Sequence, residues 1–151
     1  IVGNDKDLPE IRKKINNALI TVGQIKTSKI RQDIFSLLTD LDFNLPVIIS
    51  PSSYISRRSI IKKGTIVMNG VIINSNSKIG KNCIINNKVL IEHDTEIKKH
   101  CHISTGAILN GGVVVGEGSF IGSNSTVKEY VNISNNSVVG MSSIVVKNII
   151  N

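Results

Sequence analysis

The chain has 151 residues and carries 18 Lys and Arg against 11 Asp and Glu, a formal charge of +7. That length holds one domain with a small appendage, and no apolar run is long enough to cross a membrane. Three Phe, two Tyr and no Trp supply no stacking platform, so nucleic acid is not expected as a partner despite the charge. The basic residues are spread over turns (Arg57, Arg58, Lys62, Lys63, Lys98, Lys99, Lys128, Lys147) and suit small polyanions. No charged segment followed by an apolar one opens the chain, and the expected compartment is the cytoplasm.

In chain order, Ile1 and Val2 read as the end of a strand or the loop after one. Asp7 is placed to cap a helix reaching about Ile15, with Pro9 in its first turn, where a missing N–H is harmless. Residues 18–22 read as a buried strand, closed by Gly23. A second helix is expected from Thr27 or Ser28 to residues 40–42, with Ile30, Ile34, Leu37 and Leu38 on one face. A last strand over 45–49 completes the stretch. Strands alternating with helices predict a small parallel sheet, so residues 1–46 are expected to be half of a nucleotide-binding α/β unit.

The rest, 47–151, is organised by a period of six. From Ile49 to Val145 every sixth residue is Ile, Leu or Val without exception. A helix repeats at 3.6 and a strand at 2, whereas six is the spacing of a parallel β-helix in which each hexapeptide makes one face and one corner. Three faces close a coil, so Ile55, Ile73, Ile91, Leu109 and Val127 stack inward at the ordinary strand spacing of about 4.8 Å. Four residues after each aliphatic stands a small or β-branched one, from Ser53 to Ser143, as a narrow interior requires. Cys83 and Cys101 belong to that column. Stacked at nearly a full strand spacing, they exceed the roughly 3.5–4.5 Å between Cβ atoms that a disulfide needs, and two buried free thiols are expected. Corners are expected at Asn74, Gly80, Asn86, Asn110, Gly116, Gly122 and Gly140, where Gly and Asn tolerate tight or left-handed turns. The result is a solenoid of about five to six coils stabilised by neighbour-on-neighbour interfaces.

All three histidines fall within one coil, at 93, 100 and 102. His93 stands between Glu92 and Asp94, while His100 and His102 flank the inward Cys101 and should both project outward. Zinc needs three or four converging ligands at about 2.0–2.1 Å. His93 and His102 lie half a coil apart and face different ways, so no metal is expected.

The stretches Ile91-Glu92-His93-Asp94, His102-Ile103-Ser104-Thr105-Gly106-Ala107, Asn110-Gly111-Gly112 and Gly116-Glu117-Gly118-Ser119-Phe120-Ile121-Gly122 carry a resemblance. Residues 47–150 resemble the hexapeptide-repeat acyltransferases of bacterial surface-sugar pathways, the family of sialic-acid O-acetyltransferases and UDP-4-amino-sugar N-acetyltransferases. The resemblance implies a left-handed parallel β-helix, acetyl-CoA as acyl donor and a homotrimer. It places the general base on His93 and its acidic neighbour on Asp94. Cofactor contacts fall on His102, Gly111, Ser123 and Met141, and a nucleotide-sugar contact on Gly23. Family members open on a strand, a glycine-rich loop and an acidic residue that hold the nucleotide. Neither loop nor acid is visible here, and the nucleotide-binding part is expected to be incomplete.

Acyl transfer from a thioester requires a base for the incoming nucleophile and donors for the oxyanion. His93 suits the first role, and the backbone at Gly111, lacking a Cβ, suits the second. Both cysteines point inward, which favours direct transfer over an acyl-enzyme. The expected reaction is N-acetylation of a nucleotide-linked 4-amino sugar. O-acetylation of a sialic-type sugar and a non-catalytic β-helix scaffold are the alternatives. Ice binding is not among them, because the chain contains no Thr-x-Thr rank.

Overall fold

The computed structural model describes residues 3–150. Ile1 and Val2, expected at a strand end, lie outside the described residues. Between Ile48 and Val145 the chain forms two-residue strands every six residues, sorted into three parallel sheets. The first runs Ile48–Ile49, Ile66–Val67, Ile84–Ile85, His102–Ile103, Phe120–Ile121 and Val138–Val139. The second starts at Tyr54–Ile55 and ends at Ile144–Val145, and the third runs from Ile60–Ile61 to Asn132–Ile133. Ile48 pairs with Ile66 and Ile72 with Leu90, so each coil stacks on the next with a shift of one full turn, as the sixfold period requires. The fold is a parallel β-helix.

The aliphatic column fills the prism. Val67, Ile73, Ile85, Ile91, Ile97, Ile103, Leu109 and Ile121 are all buried, each contributing about 1.5–3 kcal/mol by leaving water. Ile49 breaks the pattern because nothing caps the first coil, and its side chain stays exposed. The second column does more than fit a narrow space. Thr65 Oγ1 donates to the Gly80 carbonyl at 2.8 Å, Ser77 Oγ to Glu92 at 2.8 Å and Ser125 Oγ to Gly140 at 2.7 Å, always fifteen residues ahead. Cys83 and Cys101, both free and buried, take the same place with Sγ at 3.2 Å from the Lys98 carbonyl and 3.1 Å from that of Gly116. A buried hydroxyl is costly unless it is hydrogen-bonded, and this register supplies the acceptor on the next coil.

The corners differ from expectation. Positive φ recurs two residues later than the expected positions, at Gly64, Gly70, Asn76, Asn82, Lys88, Asp94, His100, Gly106 and onward to Ser142. Gly80, Gly116 and Gly122 are small for another reason. A Cβ at Gly116 would lie 2.5 Å from the Asn135 backbone nitrogen of the next coil, and one at Gly122 would meet Gly140 as closely. These are close approaches of stacked backbones.

The N-terminal part also departs from the expected α/β sheet. A 3-10 turn over Asp5–Asp7 is capped by Asn4, whose side chain accepts from Lys6 N–H while Asp7 accepts from Asn4 N–H; Asp7 makes no cap bond to the following helix. That helix, α1, covers only Leu8–Arg12, and α2 covers Lys29–Asp40 close to its expected span. No strand forms over 18–22, and of 45–49 only Ile48–Ile49 is a strand, belonging to the solenoid. The expected small sheet reduces to one bridge between Asn17 and Asn44. The reason is competition for carbonyls. Arg31, 1% exposed on α2, donates from Nη1 to the carbonyls of Ile20 and Val22 at 2.8 Å each, so these acceptors serve a side chain instead of a ladder. Ile20, Phe35, Leu38, Phe43 and Leu45 form a second small core, and this cap lies over the first sheet and the corner that precedes it.

Candidate functional site

His93 and Asp94 form the corner between the second and third sheets, after Leu90–Ile91 and before Glu96–Ile97. Asp94 adopts φ +58, a conformation Asp tolerates, and this turns its carboxylate back along the ring. His93 Nδ1 lies 2.8 Å from Asp94 Oδ2, and Asn76 Nδ2, one coil earlier, donates to Asp94 Oδ1 at 2.5 Å. The Asn76 amide first, and the His93 contact second, hold the Asp94 carboxyl below its ordinary value. Asp94 is therefore ionised at neutral pH and accepts the proton of Nδ1, leaving Nε2 as the free lone pair of the neutral ring. The imidazole is 56% exposed.

Gly111 sits one coil above. A Cβ there would fall 2.7 Å from His93 Cε1 and 2.8 Å from Nε2, so the ring lies over the glycine, and no group among the described residues accepts from the Gly111 N–H. An imidazole with a free Nε2 and the backbone of a glycine on the next coil are thus brought together. Asn76 is a member of this site that the single-residue reading passed over, although its position one full coil before Asp94 was readable from the register.

The other two histidines separate from His93. Both project from the coil, as expected, but the N-terminal cap covers most of each ring. His100, buried at φ +60, receives the Asn82 amide on Nδ1 at 2.9 Å and packs edge-on to Phe35. Burial, then the neighbouring Lys99 charge, pushes its pKa down. His102 is 8% exposed, with Nδ1 at 2.6 Å from the Gln24 carbonyl and its ring edge-on to Phe120; burial lowers its pKa too. Among the described residues no group of three His, Cys, Asp or Glu is placed to hold a metal.

His102, Ser123 and Met141 line one cavity of about 430 Å³ on the first sheet, with Ile25, Phe120 and Gly140. Ser123 shares a 2.9 Å contact with Ser104 through the two hydroxyls, and Met141 is exposed at the rim. Gly23 is exposed, with nothing within 4 Å of where a Cβ would be, and follows Val22 on the segment held by Arg31. The expected site residues therefore fall into two groups. His93, Asp94 and Gly111 occupy one corner of the triangular prism; His102 lies on the first sheet, opposite that corner, Ser123 and Met141 lie at the corner that follows the first sheet, and Gly23 precedes Gln24, whose carbonyl meets His102. Of the two residues that build the second group, Arg31 belongs to the Lys29-Ile30-Arg31 helix start to which the resemblance extends, whereas Gln24 carried no periodic or motif signal in the sequence.

Residues 67–150 match the sequence model of the GMPPB C-terminal domain. Among solved structures, PerB from Caulobacter crescentus in complex with CoA and GDP-perosamine aligns with a TM-score of 0.95 and 33% identity, covering 99% of this chain and 71% of that one. The acetyltransferase domain of PglB from Neisseria gonorrhoeae in complex with acetyl coenzyme A aligns with a TM-score of 0.93 and 26% identity, covering 99% and 71%. A sequence search of curated proteins gives no match.

Proposed function

The chain belongs to the family of hexapeptide-repeat acetyltransferases that includes perosamine N-acetyltransferase, and on that premise we propose that it N-acetylates a nucleotide-linked 4-amino sugar from acetyl-CoA with His93 as general base. The observation that carries this reading is the His93 corner: a carboxylate on Nδ1, a free Nε2, and a glycine of the next coil against the ring where any Cβ would collide. In the reaction the sugar nitrogen forms a bond to the acetyl carbon and the carbon–sulfur bond breaks. His93 Nε2 takes the proton released from nitrogen, and Asp94 stabilises the imidazolium that results. The Gly111 N–H donates to the carbonyl oxygen as it gains charge. His102, Ser123 and Met141 hold the acyl donor in the first-sheet cavity, and segment 20–24 with Gly23 contacts the nucleotide sugar at the edge of a partial nucleotide-binding region over 1–46.

Base and donor cavity lie on opposite sides of one prism, so a second copy must bring its corner to this face. Contact between two different surfaces is heterologous and closes into a ring when its rotation is a whole fraction of a turn; a third of a turn, giving a homotrimer, suits a three-sided prism. The outward side of the second sheet, beside the His93 corner, supports this: Tyr54 and Ile72 are bare and Ile144 is 79% exposed.

The test is product analysis after incubation with acetyl-CoA and GDP- or UDP-linked 4-amino-4-deoxy sugars. A product one acetyl group heavier that survives mild alkali is expected. An alkali-labile ester would replace the reading with O-acetylation, and no acetyl transfer to any amino sugar would leave a scaffold.

A further inference from the structure

A carbonyl oxygen only accepts, so the 2.6 Å contact between His102 Nδ1 and the Gln24 carbonyl puts the proton on Nδ1. Burial keeps the ring neutral, and Nε2 then carries the lone pair, with Asn86 Nδ2 3.4 Å away. The Gln24 carbonyl is itself fixed. Its own side-chain amide, in a residue buried against the solenoid, donates to the His100 carbonyl at 2.5 Å. Upstream, the Ile20 and Val22 carbonyls accept from the buried Arg31 guanidinium, which also reaches the carbonyls of Asn82 and Gly64 on two successive coils at 3.4 Å. Burial draws Arg31 down to about 10, which leaves it charged at neutral pH, and charged donors make the stronger hydrogen bonds. Segment 20–24 is thereby tied to α2 on one side and to the solenoid on the other, with Gly23 held between two anchored neighbours.

We propose that Arg31 and Gln24 are positioning residues that lock His102 in its Nδ1–H tautomer, so that Nε2 is an acceptor and takes an amide N–H of the acyl donor's pantetheine arm in place of the long Asn86 contact. This rests on the reading of the first-sheet cavity as the donor site. It also inverts the role a surface histidine would play there. An imidazolium or the Nε2–H tautomer would donate to a carbonyl of the donor, whereas the locked ring selects an N–H.

The experiment is long-range ¹H–¹⁵N correlation of the histidine rings in the whole chain at pH 8, with and without CoA, followed by steady-state kinetics. His102 is expected to show a protonated Nδ1 and a bare Nε2, with Nε2 shifting when CoA is added. Gln24→Leu should give a mixture of tautomers and raise KM for acetyl-CoA about tenfold, the worth of one hydrogen bond, while changing kcat less. Arg31→Lys, which keeps the charge but not the fork, should do the same more weakly. An Nε2–H tautomer in the wild type overturns the proposal, as does a Gln24→Leu chain that loses thermal stability with tautomer and KM unchanged. The tautomer is read without turnover. Absence of acetyl transfer alongside the expected spectra would therefore remove the proposed reaction and leave the lock standing, whereas an Nε2 signal that does not move with CoA would overturn the contact with the donor.

Discussion

Asp94 Oδ2 accepts from His93 Nδ1 while Asn76 holds the other carboxylate oxygen, the arrangement that the proposed roles of base and orienter require. His93→Ala should lower kcat/KM within the roughly 10²–10⁴-fold range of general base catalysis, and Asp94→Asn, which still accepts but carries no charge, should lose less. Equal activity of His93→Ala and wild type would remove the assignment. Gly111→Ala tests the neighbouring donor. Its Cβ would collide with an exposed ring that is free to swing away, so thermal stability should hold while activity falls with His93 displaced. A variant that unfolds instead would contradict this geometry. The cluster of three histidines was visible in the sequence, but its division into one exposed base and two covered rings was not. Outward direction follows from the register, whereas cover depends on the N-terminal cap, which has no period to read.

At the scale of elements, stacked coils impose two separate demands on small residues. Gly116 faces the backbone of the next coil at 2.5 Å, and Gly116→Ala should cost about 1–3 kcal/mol, as overpacking does, visible as a lower midpoint in urea. Lys88 stands at φ +58, where a non-glycine residue pays roughly 1–2 kcal/mol. Lys88→Asn should therefore raise stability by about 0.5–1 kcal/mol, and a loss of stability would count against the corner assignment. The cap and the solenoid meet through His100 and His102, both with pKa depressed chiefly by burial. A depressed histidine binds its proton more weakly folded than unfolded. Their contribution is complete above the ordinary value of about 6.5 and is lost as pH falls below it. The midpoint of thermal unfolding should drop between pH 7 and pH 5, and a flat profile would mean that the cap does not cover these rings in solution.

For the whole molecule, the proposal that the His93 corner and the first-sheet cavity serve one reaction predicts that activity depends on assembly. Light scattering should give three copies. Ile72→Asp together with Ile108→Asp on the outward side of the second sheet should give a folded monomer without activity. An active monomer would show that one chain completes the site alone. No helix among the described residues is long and apolar enough to cross a membrane.

The sequence by itself determined the solenoid, its three-sided coil, its inward columns and the His93–Asp94–Gly111 corner, because a repeat of six converts position directly into direction and a stack of three repeats converts it into neighbourhood. It also led to an expected small sheet at the N-terminus that does not form among the described residues. Only the tertiary structure decided that segment 20–24 is an extended strap, since its carbonyls are claimed by Arg31 and its Gln24 by two histidines of a distant coil. Those partners lie up to 78 residues away in the chain, and local patterning carries no information about which side chain will arrive first at a free carbonyl.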